Sequence, residues 1–145
     1  MAATITVNST DDSNIKDAVL TLEAILVANG TLNVPVLTVA EQAQINGTVG
    51  TGADRDTIAF NIGAIGSQQL IEPLSALPPI SDPAIVDGWS QGGAGYNGLP
   101  LVELSGNKAG FGVGLDITAG NSTAGLLDNF ILYGVFEVNW GAIAP

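Results

Sequence analysis

From Asp56 onward the chain is written in short apolar runs: DTIAFNI, QQLIEP, AIVDG, LPLVELSG, GLDITAG, LLDNFILY and GVFEVN. Gly, Pro or Asn interrupts each run within a few residues, so none can become a long strand or an amphipathic helix. Strands of this length and spacing lead to a sandwich, a barrel or a solenoid. The solenoid is favoured by an internal match: Leu115 and Ile117 in GLDITAG correspond to Phe136 and Val138 in VFEVN, 21 residues later, a plausible single turn of a β-coil. The expected fold is mainly β, a short right-handed parallel β-helix-like solenoid with one N-terminal capping α-helix. Apolar residues make up 46% of the chain and charged ones 12%, with 19 glycines and 7 prolines, which excludes a disordered polymer and fits a turn-rich β protein.

A length of 145 residues suits one domain with one real core. Within that single domain, residues 1–55 read as an N-terminal strand, a capping helix and a loop, and residues 56–145 as short β-coils. Thr4 to Val7 is a β-branched strand. Ile15, Ala18, Val19, Leu22, Ile25 and Leu26 share one helical face, with Asn14 as N-cap, Asp17 in the first turn, and Asn29-Gly30 as the stop. Thr31 to Asn46 can be either extended or a short helix at LTVAEQAQI. Gly47 to Asp56 reads as a loop.

Fourteen acidic residues against Lys16, Arg55 and Lys108 give a net charge of −11. A phosphate-binding face needs clustered Lys and Arg, so nucleic acid is not an expected partner, and the same sign argues against anionic membranes. No cysteine and no histidine are present, which removes disulfides, thiolate or imidazole metal ligands and any Ser-His relay. The N-terminus runs from Met1 straight into a strand, with neither a basic nor an apolar leader region, so no export signal is expected and a chain complete from Met1 is plausible. No apolar run is long enough to span a bilayer as a helix, so a soluble chain is expected.

The segments DTIAFNI (Asp56 to Ile62), LPPISDPAIVDGWSQ (Leu77 to Gln91), PLVELSG (Pro100 to Gly106) and GLDITAGNST (Gly114 to Thr123) stand in an order that is not generic. They resemble the N-terminal region of large secreted right-handed parallel β-helix proteins, the group named for a Cys-Ser-Leu-Arg-Glu-Ala motif. The naming motif is degenerate here: Leu22-Glu23-Ala24-Ile25 and Ala28-Asn29 survive, while its cysteine and arginine are absent. Asn29 to Asp54 looks like an insertion, and the family's long downstream helix has no counterpart within these 145 residues. The resemblance implies that Pro78 and Pro79 set an extended entry, Ile80 points inward, Asp82-Pro83 makes a turn, Ile85 and Val86 form a strand, and Asp87-Gly88 turns the next corner.

Asp82 and Asp87 could form a carboxylate pair for glycosidase chemistry, but Asp before Pro or Gly is what turns ask for, and no catalytic residue is expected. Asp11, Asp12, Asp54 and Asp56 could gather calcium; their spacing fits solvated loop acids better, and no metal or cofactor is expected. The Asn-x-Ser/Thr matches at Asn8, Asn29, Asn46 and Asn121 read as turn residues. Among the aromatics, including Phe111 and Phe130, the interface candidates are Trp89, Tyr96, Tyr133, Phe136 and Trp140. Trp89 and Tyr96 lie in a glycine-rich loop expected to be exposed, while the others belong to an apolar C-terminal run.

A chain with so few chemical tools is suited to packing against protein rather than to catalysis. The first expectation is a non-enzymatic structural protein that decorates or cements a larger assembly, specifically a capsid decoration or cement protein of a bacterial virus, made in the cytoplasm and carried on the virion surface. Its partners would be itself, a scaffold such as a major capsid protein, or both. The alternative is the N-terminal cap module of a secreted cell-surface β-helix adhesin, located outside the cell. Behind both stands a carbohydrate-binding or carbohydrate-active protein.

Overall fold

The computed structural model describes residues 2–10, 21–50, 54–109, 114–116, 118, 131–133 and 135–138. The backbone alone is described for residues 21–22, 131–133 and 136–138. The chain opens with strand β1 (Ala3–Val7), whose Ala3, Ile5 and Val7 are buried while Thr4 is exposed, the period of two that a half-buried strand imposes. Helix α1 (Thr21–Ala28) follows. It buries Ala24, Ile25, Val27 and Ala28, while Leu26, assigned to the buried face from sequence, is half-buried. The expected helix start and the face positions Ile15, Ala18 and Val19 lie outside the described residues.

The end of α1 is built as expected. Gly30 has φ +74° and its N–H donates to the Val27 carbonyl, a left-handed stop that glycine adopts without strain. Asn29 contributes more than a turn. Its Nδ2 donates to the Pro79 carbonyl at 2.7 Å, and its Oδ1 accepts from the Ser81 and Asp82 N–H groups at 2.8 and 3.3 Å. One side chain thus pins the helix end to the SDP bend.

The stretch after Gly30 takes the helical alternative at LTVAEQAQI, and Val34, Val36 and Val39, which with Pro35 favoured an extended piece, are helical too. Val34–Val36 forms a short 3-10 turn, and α2 (Val39–Gln42) is a single helical turn begun by a reciprocal capping box between Thr38 and Glu41. An extended piece, β2 (Ile45–Gly47), then pairs antiparallel with β1. Gly47 takes φ +96°, and a Cβ there would stand 2.7 Å from the Ala2 carbonyl oxygen, so glycine is required.

The remaining strands are β3 (Asp56–Phe60), β4 (Gln69–Ile71), β5 (Ala84–Asp87), β6 (Val102–Ser105), β7 (Ile131–Tyr133) and β8 (Val135–Val138). They divide between two sheets, ordered β2-β1-β3-β5-β7 and β4-β6-β8. From β3 to β8 successive strands alternate between the sheets, and every pair in this region is parallel. Aliphatic residues stack in register, Ile5 on Ile58 and Ile58 on Val86 in one sheet, Ile71 on Leu104 in the other. Ile25 of α1 borders the same core space as Ile58, Phe60, Ile71, Val86, Val102, Leu104 and Val135, and the free volume left there is about 10 Å³. That is no more than one water needs, so the centre is a packed core and not a ligand cavity.

Two expectations need correcting. The content is mixed rather than mainly β, because short helical segments stand beside the strands. One of them is η, our name for the 3-10 segment Gly88–Gly92, in a stretch whose glycines suggested a plain loop. Second, the 21-residue match does not set the pairing. Phe136 pairs with Glu103 and Val138 with Ser105, 33 residues apart, while Leu115 lies in a bend and Ile117 is outside the described residues. The described part of the GLDITAG run meets Ile80 in the bond pattern of a parallel bridge, the Ile80 N–H donating to Asp116 O and the Thr118 N–H to Ile80 O.

Candidate functional site: the Trp89–Leu99 loop and its groove

Asp87 ends β5 and begins η. Its Oδ1 accepts from the Ser90 N–H at 3.1 Å, the side-chain cap that short polar residues supply at helix starts. Ser90 Oγ donates to the Asp87 carbonyl and accepts from the Phe60 N–H at 2.7 Å. The corner expected at Asp87-Gly88 is therefore present, and it is fastened to the end of β3.

Gln91 fastens it further. This residue is fully buried, with Oε1 accepting from the Ile62 N–H and Nε2 donating to the Ile62 carbonyl, both at 2.8 Å. Longer contacts reach the Ala64 and Ser67 carbonyls, and the Gln91 carbonyl accepts from the Gly66 N–H. Sequence reasoning passed over Gln91. A glutamine beside glycines carries no local signal that its amide will satisfy a neighbouring loop.

Beyond η, the loop closes on itself through its two aromatics. Trp89 Nε1 donates to the Gly98 carbonyl at 3.1 Å and Tyr96 Oη to the Leu99 carbonyl at 2.8 Å. The Tyr96 side chain lies across Gly92 and Gly98, where an added Cβ would come within 2.1 Å of its ring and 2.8 Å of its hydroxyl oxygen, respectively. Neither aromatic is fully exposed; both are half-buried. Together with Asp87, Ser90, Gly93, Ala94 and Gly95 they line an open groove of about 390 Å³. Leu99, at the loop's end, is 82% exposed.

Of the other candidates, only the backbone position of Tyr133 adjoins the groove among the described residues, through its pairing with Asp87. Tyr133 lies on β7 opposite Asp87, and Phe136 on β8 opposite Glu103, each on the last strand of its sheet among the described residues. Trp140, Phe111 and Phe130 lie outside the described residues, as do Asp11, Asp12 and Asn121. Asp82 does not line the groove that Asp87 lines.

Asp56 differs from the solvated loop acid expected. It is fully buried, and its Oδ1 accepts from the Ala3 and Gly50 N–H groups, both at 2.8 Å. Burial pushes its carboxyl above the ordinary aspartate range, the neighbouring Asp82 charge adds to this, and the two N–H bonds act the other way. It is a strut between β1 and the segment before β3. Among the described residues no group of three His, Cys, Asp or Glu is placed to hold a metal ion. No described helix is long and apolar enough to cross a membrane.

Compared with known proteins, the chain matches no family model, no curated protein and no solved structure.

Proposed function

We propose that the chain is a non-enzymatic structural module, the capped beginning of a right-handed parallel β-coil that works by packing against other protein. One observation carries this: from β3 to β8 parallel strands alternate between two sheets, and the two ends of this array differ among the described residues. At the first end, antiparallel β2 borders β1, and α1 packs on β1 and β3 with Ile25 against the core. At the other end, β7 and β8 are the last strands among the described residues. Parallel edges of this kind offer a row of backbone donors and acceptors to a further strand. The order of the DTIAFNI, SDPAIVDG and PLVELSG segments, each now placed on or beside a parallel strand, supports the same conclusion.

This arrangement favours the cap module of a surface β-helix protein over the capsid cement. A specific observation keeps the second reading in view: the groove around Trp89 and Tyr96, which borders β7 where Asp87 pairs with Tyr133, offers a side-chain contact rather than a strand edge, of the sort a decoration protein uses. Hydrogen exchange on the native assembly separates the two. Amides of residues 131–138 should gain protection on association if the coil continues end to end. Protection confined to residues 88–99 would favour lateral cementing instead. No protection in either segment at high concentration or in the native assembly would defeat the structural proposal.

A further inference from the structure

We infer that the Asp87–Trp89–Tyr96 groove binds a lysine or arginine side chain from a basic segment of a different protein. The inference deepens the proposal that this chain works by packing against other protein, and it rests on that reading. The polar tips of both aromatics bond to their own loop, Trp89 to the Gly98 carbonyl and Tyr96 to the Leu99 carbonyl. What these side chains offer the groove is therefore ring surface, which attracts cations through the negative face of the π-system.

Beside the rings stands Asp87. One of its oxygens takes the Ser90 N–H, and a carboxylate has about four lone-pair sites, so it keeps capacity for a charged donor. None of the lining residues is positively charged, so an anion there would face the Asp87 charge with no cationic side chain to offset it. At about 390 Å³ the groove has room for a long cationic side chain together with the peptide on either side of it. Its frame is held before any ligand arrives by the Asp87 cap, the Ser90 bond to Phe60 and the buried Gln91 amide.

Charge also says whose side chain this is. A second copy would bring a net charge of −11 against −11, and of the chain's three cations Lys108 is already paired with Glu72 at 3.3 Å. A basic partner gains from the whole field of the molecule as well as from the groove.

The test is a titration of the intact protein with a capped Gly-Lys-Gly-Lys-Gly peptide, following the Trp89 indole N–H by proton–nitrogen correlation, assigned with Trp140→Phe. A glutamine-for-lysine peptide and a neutral cello-oligosaccharide are run alongside. The lysine peptide should shift the Trp89 resonance saturably and the other two should not. Asp87→Asn keeps an oxygen for the Ser90 N–H but removes the charge, and should weaken binding by about tenfold; Tyr96→Leu should weaken it similarly. Equal binding by Asp87→Asn, an unmoved Trp89 resonance, or a response to the oligosaccharide and not the peptide would each overturn the inference. None of these outcomes bears on protection of residues 131–138, so the groove can fail while the coil survives.

Discussion

Two buried polar side chains, Gln91 and Asp56, hold together stretches that have no regular structure of their own. Gln91→Ala leaves the Ile62 N–H and carbonyl without their partner in a water-poor site, and should cost about 2–4 kcal/mol in chemical denaturation. Asp56 acts through protonation. Its carboxyl binds a proton more tightly folded than unfolded, so its contribution is full below the ordinary aspartate value. That contribution declines as pH rises toward the elevated folded value and stays flat above it. Asp56→Asn keeps an acceptor for the Ala3 and Gly50 N–H groups and should abolish that acid-side decline in a pH series of thermal melts; an unchanged profile would reject the assignment. Neither role was legible in the sequence. Asp56 stood in a run of Gly, Thr and Asp that looked solvated, and its burial depends on β1, 53 residues away. Asp87 was legible, because a carboxylate before glycine is useful wherever the chain turns.

At the level of elements, legibility followed local pattern. DTIAFNI, AIVDG and LPLVELSG alternate or run apolar between turn residues, and they became β3, β5 and β6. The η segment was missed because GWSQG has poor helix formers, and bonds to other parts of the chain, among them those of Ser90 and Gln91, help it hold together with the Asp87 cap. Pairing was hidden for a different reason: register between strands depends on the lengths of the intervening corners, which similarity between two strand sequences does not report. Ile58 lies in the buried stack between Ile5 and Val86, so Ile58→Ala should cost about 2–5 kcal/mol. Asn29→Ala removes the three bonds from the helix end to the Pro79–Asp82 bend and should cost about 1–3 kcal/mol. Amide exchange in α1 should rise while that in β6 changes little; uniform exchange across both would show that α1 has no separate docking step.

For the molecule as a whole, the relevant quantity is charge set against apolar core. With −11 net charge and only 12% charged residues, long-range repulsion is weakly compensated by local ion pairs. Added salt screens it beyond about 10 Å at 0.1 M and beyond about 3 Å at 1 M. Raising sodium chloride from low to molar concentration should therefore increase the melting temperature, and a flat response would mean that the acids are already well separated.

The second sheet keeps an even count that the first does not. Val102 follows Gln69 by 33 residues and Val135 follows Val102 by 33, whereas the first sheet spaces Asp56 to Ala84 by 28 and Ile85 to Ile131 by 46. On the proposed coil, this makes residues 69–101 a unit of growth: a tandem copy inserted after Leu101 should add one rung to each sheet, the copied strands pairing with the originals on one side and taking over the pairings to β6 and β7 on the other. The lengthened chain should unfold with a steeper denaturant dependence in proportion to its added buried surface, turning a short module into a ruler whose length is set by copy number.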